Sequence, residues 1–390
     1  MIKHCVMSLL LLTLLLPLSG CWDRTEINDV GFVLSTGLDI EKDGQIRYSV
    51  LLPLPGQMGG PGGGGGGTSG DKSYYIDSEV GETYRDAQMK LQKRMSRRMY
   101  LAHRRTILIG EEMAKRGIRD LFDATPRNPE NRMSTYMLVT KGKAFDALAA
   151  TPRFERFPSE AIRELAKYRT FEDMNMKDIG LGLSSQGGDP VAVYIAIKES
   201  EKSEKPSKEI ELKGYAQFRG DKMIGTLENE TAQGFSWLNN SDTMGNVTLI
   251  IAEDHLMTLN VHNTKTKITV NINNGKIEYL IHTKAKATLA EDRSFYDLSQ
   301  TKKIIEVEHA LSAYIKKSIQ ALIDKSLKTN TDPALLGTYV WRAYPEIWKQ
   351  SFKKEWPEAM KEARFTIQVE SDLTNTGLIY ENVTKERTDE

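Results

Sequence analysis

The side chains that could carry out chemistry do not form a recognisable catalytic or metal-binding motif. The chain has six histidines, and no two of them show the His-Glu-x-x-His spacing that places two zinc ligands on one helix face. His255 and His262 are seven residues apart and would lie on opposite faces of a single regular strand. The segment 180–185 lacks the Gly-x-Ser-x-Gly sequence that positions a serine nucleophile. These patterns predict no enzymatic activity, no metal and no cofactor.

Cys21 has a sequence context that predicts a covalent modification. Lys3 precedes a short apolar run that ends at Pro17, which is the order of a secretory signal peptide. The run is shorter than the roughly 20 apolar residues that a membrane-spanning helix needs. Leu18-Ser19-Gly20-Cys21 resembles the bacterial lipobox, in which the thiol receives a diacylglyceryl group before cleavage. We therefore expect removal of residues 1–20 and anchoring through Cys21, with N-acylation left open.

Cysteine usage and net charge argue against two further kinds of function, thiol chemistry and nucleic-acid binding. Cys5 lies in the leader, so the mature chain would keep only the lipidated Cys21 and would have no disulfide or thiol redox site. The full chain has 53 basic and 53 acidic residues, and loss of Lys3 leaves 52 against 53. This balance gives no indication of nucleic-acid binding, which normally requires a basic excess or a basic face.

The elements that must position these residues alternate between strand and helix patterns. Hairpin signals occur around Lys42–Gly44, Arg219–Lys222 and Asn273–Gly275. Apolar residues at helical spacing predict an amphipathic helix over 82–98, a long amphipathic helix over 299–327 and a further helix that starts at Asp332-Pro333. The fold class predicted is α+β, with about three domains built from antiparallel or mixed sheets and flanking helices.

The domain boundaries follow two segments of biased composition. The glycine-rich tract 59–70 lacks the Gly-Lys-Ser/Thr of a phosphate-binding loop, so we interpret it as a flexible loop. The charged segment 198–208 contains Pro206 and almost no apolar residue, which predicts a linker between folded units. The predicted organisation is a signal peptide (1–20), an N-terminal α+β domain (21–197), the linker (198–208), a small middle domain (209–245), a C-terminal α+β domain (246–380) and a polar tail (381–390).

A basic cluster precedes the predicted strand 105–110. It comprises Arg94, Arg97 and Arg98, followed by 103–105, which reads His-Arg-Arg. It would suit anionic lipid headgroups or an acidic partner. The alternative is the solvated face of an amphipathic helix, which we favour.

Several motifs in order along the chain resemble the Ger(x)C-type spore germination proteins. They are Cys21–Asp29, His103–Glu111, Arg127–Arg132, Gly214–Phe218, Asp221–Leu227, Asp332–Gly337 and Tyr344–Trp348. Each motif is short, but their order and spacing extend over nearly the whole mature chain. The glycine tract departs from the family pattern in a place where a long loop costs little additional entropy.

The resemblance implies a non-enzymatic C subunit of a nutrient germinant receptor. Such a subunit would be lipid-anchored on the outer face of the spore inner membrane, beside integral-membrane A and B subunits. The lipid attachment transfers to Cys21, and the family-motif residues Trp22, Asp23, Glu26, His103 and Arg104 are the candidates for interaction. Trp22 would lie at the headgroup level or dock on the folded body. Whether this subunit contacts a nutrient stays open.

Three other functions compete with this one. A solute-binding lipoprotein of a transporter would show two lobes of repeated strand–helix–strand units around a cleft, and the hairpin-rich pattern argues against it. A secreted hydrolase would need a nucleophile–base or metal constellation. A scaffold that only holds its membrane partners is compatible with the resemblance.

Overall fold

The computed structural model describes residues 3, 26–54, 73–167, 174–239, 245–251, 255–293 and 296–377. The strands are β1 (Val30–Phe32), β2 (Ser35–Ile40), β3 (Ile46–Pro53), β4 (Tyr74–Gly81), β5 (Arg98–Tyr100), β6 (Thr106–Gly110), β7 (Tyr136–Thr140), β8 (Val191–Glu199), β9 (Lys208–Arg219), β10 (Lys222–Glu228), β11 (Gly245–Ile251), β12 (His255–Asn273), β13 (Lys276–Asp292) and β14 (Arg364–Asn375).

Helices alternate with these strands along the chain. They are α1 (Tyr84–Gln92), α2 (Glu111–Arg116), α3 (Arg119–Ala124), α4 (Ala144–Leu148), α5 (Pro158–Lys167), α6 (Met176–Ser184), α7 (Glu230–Leu238), α8 (Thr301–Thr329), α9 (Leu336–Ala343) and α10 (Pro345–Ile347). A 3-10 turn at Ile27–Asp29 precedes β1, a π-helical turn at Trp348–Phe352 continues α10, and a 3-10 turn at Glu358–Glu362 precedes β14.

An eight-stranded mixed sheet forms the larger layer, in the order β10-β9-β8-β7-β6-β2-β3-β4. Its four middle strands run parallel, and antiparallel hairpins extend it on both sides. Strand β6 is buried on both faces because helices cover each side. Leu108 faces one apolar core, and Ile107 and Ile109 face the other. The α+β class with mixed sheets is confirmed.

The four-stranded sheet β11-β12-β13-β14 packs one face against the long helix α8. The buried stripe of this helix contains Leu311, Ile315, Ile319 and Leu322, as the helical spacing predicts. The turn between β12 and β13 has positive φ at Asn274 (50°) and Gly275 (77°). Two such residues in succession are typical of a type I′ hairpin turn, so the predicted turn is confirmed.

The segment 198–208 is the end of a hairpin instead of a linker between units. Strands β8 and β9 pair antiparallel from Val191 opposite Gln217 to Glu199 opposite Lys208. The charged residues are exposed because the turn projects beyond the sheet. The predicted middle domain 209–245 does not form a separate unit. Strands β9 and β10 complete the eight-stranded sheet, whereas α7 packs against α8.

Two predicted helices differ in their bounds. The helix expected over 82–98 ends at Gln92, because Arg98 begins β5 and pairs with β1. The helix expected from Asp332 begins at Leu336, and the Asp332 carboxylate accepts hydrogen bonds from its first two backbone N–H groups. Among the described residues, no helix has the length and apolarity needed to cross a membrane.

The hairpin at 198–208 predicts how the protein responds to cleavage there. With a specific protease site inserted between Lys202 and Lys205, the cut chain should remain one particle, because β8 and β9 stay paired and share a core. Size-exclusion chromatography under native conditions is the measurement, and the same cut sample in denaturant is the control. Two separately eluting fragments under native conditions would contradict this arrangement.

Candidate functional site

Strand β1, which follows the predicted anchor in the sequence, lies beside the strand just before the His103–Glu111 motif. Strand β1 pairs parallel with β5, with Val30 opposite Arg98 and Phe32 opposite Tyr100. The Phe32 ring packs edge-on against Tyr100 and His103, with centroid distances of 5.8 and 5.1 Å. The strand that follows the first motif and the start of the second motif, some seventy residues apart in sequence, therefore meet.

The predicted interaction residues have different environments. Cys21, Trp22 and Asp23 lie outside the described residues. Glu26 is exposed, and its backbone carbonyl accepts a hydrogen bond of 3.0 Å from the Asp29 N–H. His103 is exposed except where it meets Phe32.

Arg104 is a core residue instead of a surface contact. Its side chain is 3% exposed, and Nη2 donates to Asn131 Oδ1 at 3.0 Å. Nη1 lies 3.4 Å from Thr36 Oγ1, and Nε has no hydrogen-bond partner among the described residues. Arg104 thus joins β2 to the loop before β7, a role that sequence spacing alone does not distinguish from an exposed binding role.

Carboxylates neutralise two of the five arginines in the basic cluster near this end. Arg94 forms ion pairs with Asp77, at 2.7 Å, and with Glu79. Arg98 forms an ion pair with Glu130. Both arginines remain about half exposed, so these pairs contribute little free energy of folding. The pairing favours the interpretation of this cluster as a solvated surface.

A second site joins the two sheets and is built around two buried carboxylates. The Asp189 carboxylate accepts hydrogen bonds from the N–H groups of Gly220, at 2.7 Å, and Asp332, at 2.9 Å. The N–H of Asp189 donates in return to the carbonyl oxygen of Asp332 at 2.8 Å. These bonds connect the entry to β8 with the residues between α8 and α9, which are 143 positions away. We call this region the domain joint.

The Asp332 carboxylate is the hub of the domain joint. It is fully buried and accepts hydrogen bonds from the N–H groups of Leu336 (2.9 Å) and Gly337 (2.8 Å) and from Trp356 Nε1 (3.1 Å). Burial raises the pKa of Asp332 to about 7, and the three donors oppose that rise. Burial also raises the pKa of Asp189. Because both carboxylates are occupied by structural donors, their role is to hold backbone segments together.

Glycines allow the two segments of the domain joint to touch. A Cβ added at Gly187 would lie 2.4 Å from the carbonyl carbon of Gly337 and 2.7 Å from the nitrogen of Thr338. Thr338 N–H donates to the Gly187 carbonyl at 3.1 Å. Sequence reasoning identified Asp332–Gly337 only as part of a family motif and missed Asp189. The sequence Gly187-Gly188-Asp189-Pro190, just before a predicted strand, was the signal that could have pointed to Asp189.

A polar recess of about 340 Å³ lies between β9, β10 and α7. Its charged side chains have neighbours of their own: Lys213 pairs with Glu211 at 3.5 Å, and Thr226 Oγ1 donates to Glu228 at 2.7 Å. Across the described residues, no group of three or more His, Cys, Asp or Glu side chains is arranged to hold a metal ion.

Two family models match the chain, one on each side of the β8–β9 hairpin. The model described as the spore germination protein N-terminal domain matches residues 23–197. The model described as the spore germination B3/GerAC-like C-terminal region matches residues 213–377. Together they include both the strands near the predicted anchor and the domain joint.

Curated relatives align over almost their full lengths. The putative spore germination protein YfkR of Bacillus subtilis (strain 168) is 33% identical over 383 residues, which is 98% of each chain. Spore germination protein KC of the same organism is 26% identical, with 97% of each chain covered. A crystal structure of the GerBC protein aligns with a TM-score of 0.56 at 19% identity, over 87% of this chain and 97% of that one. This likeness establishes the shared fold.

The charge state of Asp332 predicts a pH dependence of folding stability. Its carboxyl titrates near pH 4 in the unfolded chain and near 7 in the folded one. The folded state therefore loses stability from this group as the pH rises from about 4 to about 7, with no further loss above that. We expect Asp332→Asn to remove this dependence and to cost about 1–3 kcal/mol, because buried N–H donors lose an acceptor.

The measurement is urea unfolding of both proteins between pH 4 and 8. The unfolding free energy of the wild type minus that of the variant should fall as the pH rises to 7. The pKa of the nearby Asp189 is also raised, and this residue is present in both proteins. Comparing the unfolding free energies of wild type and variant therefore isolates the effect of Asp332. A difference that is constant with pH would contradict the assignment.

The contact between Gly187 and Gly337 predicts a second stability effect. Gly187→Ala should lower the unfolding free energy by more than about 2 kcal/mol, because the new methyl group overlaps backbone atoms. Gly225→Ala is the matched control, since a Cβ there would meet nothing within 4 Å. The control should change stability by less than about 0.5 kcal/mol. Equal thermal midpoints for the two variants would show that the close contact is absent in solution.

Proposed function

The chain belongs to the GerAC-like family of spore germination proteins, and we propose that it is the lipid-anchored, non-enzymatic C subunit of a nutrient germinant receptor. The observation that carries the proposal is the match of 98% of the chain to a spore germination protein at 33% identity. Since the alignment includes both halves, the proposed role is that of the whole subunit and not of one domain.

The lipid anchor is supported by the sequence around Cys21 and by where the described body begins. The lipobox-like segment Leu18–Cys21 ends five residues before Glu26. An extended chain spans at most about 3.3–3.6 Å per residue, so this tether reaches no more than roughly 18 Å. Strand β1, which follows the 3-10 turn Ile27–Asp29, is held by β5. A lipid on Cys21 would therefore keep the β1–β5 end of the body close to the membrane surface, and two acyl chains suffice for stable attachment.

The non-enzymatic role is supported by how the buried acidic groups are used. Asp189 and Asp332 have raised pKa values, which is often a sign of a catalytic acid or base. Here their oxygen atoms are occupied by backbone N–H groups and an indole N–H. The subunit would act through contacts with integral-membrane A and B subunits, on the outer face of the spore inner membrane.

Replacement of Cys21 tests the anchor and the receptor role together. Cys21→Ala should release the protein from the membrane fraction of spores and reduce germination in response to one class of nutrient. Cys5→Ala is the matched control, because it removes the other cysteine within the segment that the signal peptidase discards. Membrane fractionation and the loss of spore refractility after addition of single nutrients are the measurements.

The outcomes separate the two parts of the proposal. A Cys21→Ala protein that stays in the membrane fraction would contradict the lipid anchor. Deletion of the whole subunit defines the nutrients to which the spores respond through it. If the Cys21→Ala protein is released and germination on those nutrients is unchanged, the subunit does not need its anchor. No germination defect from the deletion itself would contradict the receptor role.

A further inference from the structure

The face of the four-stranded sheet that points away from α8 has an unusual arrangement of basic side chains. Strands β12 and β13 place bases directly opposite bases in three successive pairs on this face, which we call the outer sheet face. The pairs are His262 with Lys286, Lys265 with Lys284, and Lys267 with His282. The four lysines are exposed, and the two histidines are partly exposed.

Acidic side chains offset only part of this charge. Glu370 on β14 pairs with Lys284 at 2.7 Å and with His282 at 3.0 Å. Asp372 lies opposite Lys286 in the register of β13 and β14. Lys265 and Lys267 make no ion pair within the part of the chain that the structure describes. The positive charge is therefore concentrated on β12 and the adjoining half of β13.

This arrangement opposes folding. Like charges directly opposite each other on neighbouring strands are destabilising, and Lys265 and Lys284 form such a pair, with a lysine–histidine pair on each side of it. Glu370 offsets Lys284 and His282, and a local rule that is only partly compensated inside the fold is expected where the residues serve binding. The partner that would compensate the charge is anionic.

The types of side chain favour a membrane surface over a protein. All four strong cations are lysines, which are flexible point charges, whereas bidentate recognition of single phosphates or carboxylates favours arginine. Protein–protein interfaces are depleted in lysine at their centres. Ile250 and Leu256 lie opposite each other further along the same face and are 68% and 38% exposed. A lysine cluster with adjacent exposed apolar side chains suits the headgroup region of a bilayer.

We propose that the outer sheet face binds the headgroups of anionic phospholipids and gives the protein a second contact with the membrane, besides the anchor on Cys21. The contact uses Lys265, Lys267, Lys284 and Lys286. Glu370 limits its strength by holding Lys284 and His282. The inference rests on the proposed function in one respect, since lipidation is what would keep a membrane within reach.

Vesicle binding by the unlipidated mature chain, carrying Cys21→Ala, tests this contact. The probes are vesicles of phosphatidylcholine alone and of equal parts phosphatidylcholine and phosphatidylglycerol. The chain should sediment with the anionic vesicles, and added salt should release it. Replacing the four lysines by Gln should weaken this binding by at least about ten-fold. Glu370→Gln should strengthen it.

The matched control replaces four exposed lysines elsewhere by Gln. They are Lys42, Lys177, Lys328 and Lys353, which make no ion pair with another described residue. This variant has the same net charge as the sheet variant and should bind the anionic vesicles like the parent chain. The sheet variant should unfold at an equal or higher temperature than the parent, because the like-charge pair Lys265–Lys284 has been removed. Weaker binding therefore cannot be attributed to unfolding.

Three results would overturn the inference. The first is equal binding of the parent chain to both kinds of vesicle. The second is equal loss of binding in the sheet and control variants. The third is unchanged binding of the sheet variant to the anionic vesicles, which would show that the four lysines do not make the contact. Because the chain tested lacks Cys21, none of these results bears on the lipid anchor.

Discussion

The hydrogen bonds around the buried Asp332 carboxylate hold the eight-stranded and four-stranded sheets together. The surfaces discussed above lie on these two sheets and on the strands next to them. Three donors converge on this group, and its own backbone exchanges hydrogen bonds with Asp189 at the entry to β8. Removing an acceptor from buried donors costs much more than an exposed ion pair contributes. The glycines at 187 and 337 bring the two backbones close enough for these bonds, and Trp356 closes the cluster from the C-terminal side.

The domain joint also explains why the two regions matched by the family models form one structural unit. The boundary between them falls at a hairpin whose strands are paired, and the apolar core runs from the eight-stranded sheet to the four-stranded sheet. A force on one sheet would therefore reach the other through paired strands and the buried carboxylates. The subunit is proposed to work by contact with membrane partners. In a body of this kind, a displacement of one sheet moves the other sheet with it, whereas two domains on a flexible linker would move independently.

The surfaces proposed to act are at different parts of this body. The β1–β5 end follows the predicted lipid anchor, and two of its five arginines, Arg94 and Arg98, are paired with carboxylates. The outer sheet face has lysines and histidines opposite one another, with Glu370 as a partial counter-charge. Arg94 and Arg98, each with a bound carboxylate, attract an anionic surface less strongly than Lys265 and Lys267, which make no ion pair among the described residues.

Local pattern in the sequence determined the α+β class, the long helix α8, the tight turn at Asn273–Gly275 and the family resemblance. These features depend on residues close together in the chain, where periodicity and turn chemistry act directly. The lipidation of Cys21 stays a prediction from sequence. Only the tertiary structure decided that Arg104 is buried, that 198–208 closes a hairpin, and that Asp189 meets Asp332. Each of these depends on contacts between distant segments, and a charged residue has the same local pattern whether packing later buries it or leaves it in water.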